Sequence, residues 1–136
     1  MSKPQEASPF LFAMNELKAS PQVEDGYIQI ANELIDAIIS YPFKNSELKI
    51  VIVVIRKTYG WKKKKEQLSF SQISKISRVS IRHTKRVIKR LVQDNVILKE
   101  KSENNNILAL NKDYYSWRLW KTLNLGDKIV TSKVPD

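Results

Sequence analysis

The chemistry legible in this chain is that of cations. Between Ser71 and Arg90 stand seven lysines and arginines (Lys75, Arg78, Arg82, Lys85, Arg86, Lys89 and Arg90) and no acid. Surfaces ordinarily mix charge signs to avoid self-repulsion, so a stretch of one sign this long points to a polyanionic partner. A second basic group is Arg56-Lys57 followed by Lys62-Lys63-Lys64-Lys65, with Tyr59 and Trp61 between them. A plain solvated face is the alternative for either run. The distribution argues for more. From Lys44 to Lys101 there are 17 Lys/Arg against 4 Asp/Glu, a net of +13 in a chain whose total is +10, so the flanks together carry −3. A sequence pI near 9.8 leaves nucleic acid or an anionic membrane surface as partners.

Catalytic chemistry has little to work with. Cysteine is absent, which removes disulfides, thiolate metal ligands and a thiol nucleophile, and fits a reducing cytoplasm. His83 is the only histidine. In the middle of the basic stretch it suits a DNA contact or a half-buried packing role better than acid–base work. Glu33 and Asp36 share a helical face without a third ligand. The three glycines, Gly26, Gly60 and Gly126, form no phosphate-binding loop, and no G-K-[ST] occurs. The expectation is a protein that is not an enzyme and uses no metal and no cofactor. No apolar run reaches the roughly 18–20 residues that span a bilayer, and the N-terminus does not read as a signal peptide, so no membrane partner is expected.

The elements that must position these cations follow from periodicity and caps. Residues 1–26, with Pro4, Pro9, Pro21 and Gly26, read as a flexible segment. Residues 27–123 read as one domain, and 124–136 as a tail. A first helix is predicted over Ile28–Ser40, from Ile30, Leu34 and Ile38. A second starts near Asn45 or Ser46, either of which can cap it. Its continuation, Ile50-Val51-Ile52-Val53-Val54-Ile55, is entirely β-branched and by local propensity a strand; we read it as a buried helix ending at Gly60. Trp61–Gln67 reads as a loop or short strand. Ser69-x-x-Gln72 is a capping box that opens a short helix with Phe70, Ile73 and Ile76 as its apolar residues. A tight turn at Arg78-Val79 follows, and Ser80 caps a helix over Ile81–Gln93. Two such helices joined by a short turn are the helix-turn-helix pattern. The period then changes. Val96–Glu100 and Ile107–Leu110 are strand-like, with the turn-forming cluster Ser102–Asn106 between them, a β-hairpin where a wing belongs. Asp113 caps a last helix carrying Tyr114, Trp117, Trp120 and Leu123. The fold class expected is mainly α with a small β-hairpin, a winged helix-turn-helix.

On a wheel of 100° per residue, Thr84, Val87, Ile88 and Leu91 centre on one side of the Ile81–Gln93 helix. Arg82, Arg86, Lys89 and Gln93 centre on the other, flanked by His83, Lys85 and Arg90. A helix of this diameter fits the major groove of B-DNA, where arginine suits the O6/N7 edge of guanine, and lysine suits phosphate. The candidate DNA-binding set is therefore Arg78, Ser80, Arg82, His83, Lys85, Arg86, Lys89 and Arg90, with Lys57, Lys62, Lys63, Lys64 and Lys65 as phosphate contacts. Trp61 either stacks on an unpaired base or packs on the core and steers the lysines. The candidate partner-binding residues are Phe10, Phe12, Met14 and Leu17. Phe10, Met14 and Leu17 fall at i, i+4 and i+7, so a short helix would present them together to a groove. Trp117 and Trp120 either join such a surface or pack on their own domain.

The landmarks Gly26-Tyr27-Ile28-Gln29-Ile30-Ala31-Asn32-Glu33-Leu34, Arg56-Lys57-Thr58-Tyr59-Gly60-Trp61, Ser80-Ile81-Arg82-His83-Thr84-Lys85-Arg86-Val87-Ile88-Lys89-Arg90-Leu91 and Asn111-Lys112-Asp113-Tyr114 give the stretch from Asp25 to Trp117 a family likeness. It resembles the N-terminal domain of the bacteriophage replication protein O family. The Arg-Lys-Thr-Tyr-Gly-Trp segment is its most specific part. The resemblance implies a winged helix that binds repeated double-stranded DNA sites at a replication origin, usually as a homodimer, in the cytoplasm of a bacterial host. It also implies delivery of a replicative helicase, or its loader, to that origin. The family tends to have glycine in the turn where this chain has Arg78. Two other functions suit the same residues: a transcriptional regulator, and an adaptor that holds host replication machinery through its terminal segments.

Overall fold

A computed structural model describes residues 18–103 and 105–122. The helices are α1 (Asn32–Ser40), α2 (Asn45–Thr58), α3 (Phe70–Ser77), α4 (Ile81–Gln93) and α5 (Arg118–Thr122). The strands are β1 (Glu66–Gln67), β2 (Ile97–Ser102) and β3 (Asn105–Leu110). Single 3₁₀ turns lie at Val23–Asp25, Tyr59–Trp61 and Tyr114–Ser116. The fold is mainly helical with one small antiparallel sheet, as expected.

The β-branched run is helical after all. In α2 the buried residues are Glu47, Ile50, Val51, Val53, Val54, Ile55 and Thr58, while Ile52 is 44% exposed. A strand would bury alternate residues; this set recurs at three and four, the spacing of a helix face. The face is wide because α2 packs against α3, α4 and β3 at once. Burial on several sides outweighs the propensity of the individual residues. The helix is capped one residue earlier than the sequence suggests. Lys44 is the N-cap, and its N–H donates to the Glu47 carboxylate at 2.9 Å.

Two other boundaries move. The first helix begins at Asn32 rather than Ile28: its N-cap Ala31 is extended, Tyr27 and Ile28 stay exposed, and Ile30 packs against the core without joining the helix. The last helix is broken. A 3₁₀ turn over Tyr114–Ser116 is followed by Trp117 in an extended conformation, and then by α5. The break has a polar cause. The Trp117 indole N–H donates to the Asn111 carbonyl at 2.9 Å, and the Asn111 amide donates to the Asn95 carbonyl at 2.7 Å and to Ser116 Oγ at 2.9 Å. Trp117 and Trp120 are both 1% exposed and pack with Tyr41, Phe43 and Tyr114 in edge-on and tilted contacts. They belong to the domain's own core.

The sheet has one strand more than the hairpin. Strand order is β1-β3-β2, with β1 pairing antiparallel to β3 through Glu66↔Leu108 and Gln67↔Ile107. The hairpin register runs from Ile97↔Leu110 to Ser102↔Asn105, so both strands extend into the polar cluster that reads as loop. The short β1 brings the chain directly to Ser69, which caps α3.

Candidate nucleic-acid interface

Hydroxyl groups fix the turn between α3 and α4. Ser69 Oγ accepts the Gln72 N–H at 3.1 Å, and the Gln72 side chain accepts the Ser69 N–H at 2.8 Å, the reciprocal box that the sequence spells. At the other end Ser77 Oγ donates to the Ile73 carbonyl at 2.7 Å and accepts the Val79 N–H at 3.3 Å. Ser74 Oγ donates to the Val79 carbonyl. Ser80 Oγ accepts the His83 N–H at 3.1 Å, which starts α4 and leaves the Ser80 proton to donate outward. Arg78 sits between these bonds with φ 62° and ψ 27°, a left-handed conformation that favours glycine. Its side chain is exposed.

The two faces of α4 separate as the wheel requires. Thr84, Val87, Ile88 and Leu91 are buried. Ile81, Arg82, Lys85, Arg86 and Lys89 are exposed and line one shallow cleft of about 660 Å³. No acid lines it. Two candidates on this helix are placed differently. Arg90 turns away and pairs with Glu47 at 3.5 Å, at the start of α2. His83 is half-buried. Its Nδ1 faces Arg86 Nη2 at 2.9 Å and its Nε2 faces Ser46 Oγ at 3.1 Å. A guanidinium can only donate, so Nδ1 is the acceptor and Nε2 carries the proton given to Ser46. His83 thus fixes the direction of Arg86.

The structure adds members that the sequence analysis missed. Lys85 on α4 and Lys99 on β2 both lie over the Phe70 ring, at 5.8 and 6.0 Å from its centroid. Phe70 therefore links the first turn of α3, the outer face of α4 and the hairpin, and it brings Lys99 beside the α4 cations. The signal available in the sequence was the exposed pair Lys99 and Lys101, alternating along the strand after the basic helix. Ile81, 46% exposed beside Arg82, is a second addition, an apolar group at the mouth of the cleft.

The lysine run lies elsewhere. Lys62, Lys63 and Lys64 line a cleft of about 300 Å³ with Gln29, Tyr59 and Lys112. Lys112 follows β3 at the end remote from the hairpin turn; at about 3.3 Å per residue it is roughly 20 Å from that turn. Lys65 alone points along the sheet, to Glu100 at 3.4 Å. Lys57 is half-buried in the last turn of α2. The cleft lined by Lys62, Lys63 and Lys64 shares no residue with the cleft on α4. Trp61, beside them, is 62% exposed and does not pack on the core. The candidates Phe10, Phe12, Met14 and Leu17 lie outside the described residues.

Among the described residues no three His, Asp or Glu side chains converge as metal ligands, and no helix is long and apolar enough to cross a membrane. The model of one family, bacteriophage replication protein O, matches residues 19–117. The chain belongs to that family. The match takes in α1 to β3, the Arg78 turn, Trp61 and the buried Trp117. Replication protein O of Escherichia phage lambda is 26% identical over 95 residues, 70% of this chain and 27% of the relative. Replication protein 15 of Enterobacteria phage phi80 is 27% identical over 99 residues, 73% of this chain and 33% of the relative. The chain thus spans about a quarter to a third of the length of these relatives. No solved structure matches it. The cations of this chain line two different clefts, one on α4 and one after α2.

Proposed function

We propose that this chain is the duplex-reading module of a phage replication initiator, with α4 entering the major groove and the β2–β3 hairpin acting as its wing. The observation that supports it most is the α4 face. Arg82, Lys85, Arg86 and Lys89 stand together, exposed and free of acids, on a helix whose opposite side is buried, with Lys99 of the hairpin alongside. Arg82 and Arg86 read guanine edges, Ile81 contacts a thymine methyl, and Lys85, Lys89 and Lys99 meet phosphates. Arg78, at the turn, meets a fourth. The chain binds repeated origin sites, as a dimer, without catalysis of its own, and brings a helicase or its loader to them.

Selection of binding sites from random duplexes, followed by their location in the source genome, tests the proposal. Sites repeated at a replication origin support it, and sites upstream of transcribed genes would make the chain a regulator instead. The affinity for those sites should fall with salt by about 0.9 log units per log unit for each phosphate contact, hence about 3.6 for the four cations named. Affinity that does not change with salt rules out the α4 face as a phosphate-binding surface.

A further inference from the structure

Trp61 stands in an unusual place for an indole. It is 62% exposed and Tyr27 is 57% exposed, whereas Trp117 and Trp120 are 1% exposed. The backbone holds Trp61 outward. It ends the 3₁₀ turn Tyr59–Trp61, and Lys62 closes that turn at φ 59° and ψ 35°, donating its N–H to the Tyr59 carbonyl at 3.0 Å. The Lys63 N–H then donates to the Thr58 carbonyl at 2.8 Å. A left-handed lysine at an exposed turn is a conformation that any Cβ disfavours.

Trp61, Tyr27 and Arg56 line one cleft of about 440 Å³, with Asp25 as its acidic residue. The Arg56 guanidinium crosses Gly60 so closely that a Cβ there would lie 2.8 Å from Nη1. Directly along the chain, Lys62, Lys63 and Lys64 line the neighbouring cleft with Lys112. Two exposed rings and a planar cation thus lead into a row of ammonium groups. Duplex DNA has no use for the rings, because its bases are already stacked on one another. An unpaired strand uses both parts: bases stack on aromatic and guanidinium planes while lysines follow the phosphates.

We propose that Tyr27, Arg56 and Trp61, with Lys62, Lys63, Lys64 and Lys112, form a site for single-stranded DNA that is separate from the duplex-reading face of α4. The proposal does not rest on the α4 reading. An initiator module with both sites would hold duplex on one surface and capture a strand that has come unpaired nearby on the other.

Titration with short oligo-dT, followed by tryptophan emission, tests it directly. Trp117 and Trp120 are sealed in the core, so a change in emission reports Trp61. Saturable quenching is expected. Trp61→Ala should lose roughly 5- to 150-fold in oligo-dT affinity, the equivalent of one stacked base. Trp61→Phe should recover part of that loss. Replacing Lys62, Lys63 and Lys64 by Gln should reduce the salt slope for oligo-dT by about 2, at about 0.7 per phosphate contact on a single strand. Trp61→Ala and Trp61→Phe should bind duplex within twofold of the native chain. An emission spectrum that does not move at saturating oligo-dT overturns the proposal, as does native oligo-dT affinity in Trp61→Ala. Loss of oligo-dT binding in Arg82→Ala, with full displacement by duplex, would instead place both strands on α4.

Discussion

Replacing Arg78 by glycine should move two measurements in opposite directions. The residue occupies the left-handed region at φ 62° and ψ 27°, where a side chain costs about 1 kcal/mol relative to glycine. Its N–H donates to the Ser74 carbonyl at 2.8 Å, a bond that glycine keeps. Its side chain is exposed, so no buried surface is lost. Against the relief stands the larger conformational entropy of glycine in the unfolded chain, about 0.5 kcal/mol. The net is a stabilisation of about 0.5 kcal/mol, or a Tm higher by about 2–4 °C for a domain of this size. Scanning calorimetry at fixed pH measures it. In the same variant the log–log salt slope for duplex binding should become shallower by about 0.9, since one phosphate contact is gone. A lower Tm would show that the turn does not hold Arg78 in the left-handed region. An unchanged slope would show that its guanidinium does not touch DNA.

Three further outcomes are expected. Arg82→Ala and Arg86→Ala should each cost about 1–3 kcal/mol against cognate duplex and much less against random duplex, whereas Lys89→Ala and Lys99→Ala should weaken both alike; competition binding separates the two classes. Trp117→Ala should destabilise the domain by about 3–5 kcal/mol in urea denaturation, because it opens a cavity among Tyr41, Phe43, Tyr114 and Trp120; a loss under 1 kcal/mol would contradict its burial. Burial pushes the Tyr41 phenol above the ordinary value of 10.0; the Leu119 N–H donated to it is the next largest influence and acts the other way, with smaller effects from Asp94 (upward), Arg118 (downward) and Glu47 (upward). A raised folded value means that the stability it contributes is fully present below about pH 10 and is lost as pH rises beyond it. Denaturation midpoints taken across that range should fall less steeply in Tyr41→Phe than in the native chain, and equal slopes would exclude the effect.

The helix-turn-helix was legible because its signals are local. The Ser69/Gln72 box, the Ser80 cap and the spacing of Thr84, Val87, Ile88 and Leu91 each act within one or two turns of chain, and the structure shows all of them. The cations of α4 that share a face, Arg82, Lys85, Arg86 and Lys89, follow from the same geometry. The Arg78 turn was legible in part: the family's glycine marks a left-handed position, and the arginine adopts it. Boundaries that depend on what a residue can be buried against, such as the start of α1 and the break at Trp117, were not.

The sequence by itself determined the order of the elements, the basic face of α4 and the absence of thiol chemistry, since these depend on residue type and on contacts a few residues apart. Only the tertiary structure decided the rest. Arg90 is drawn off the face of Arg82, Arg86 and Lys89 by Glu47, and Lys85 is joined to Lys99 through Phe70. β1 becomes a third strand only because β3 is there to receive its hydrogen bonds. The β-branched run of α2 is a helix because three other elements bury it on several sides, a demand that outweighs propensities worth a fraction of 1 kcal/mol per residue. Lys62, Lys63 and Lys64 are carried to Lys112, past the end of β3 remote from the hairpin turn, while Lys65 reaches Glu100, and a run of like charges contains no information about which surface it will reach.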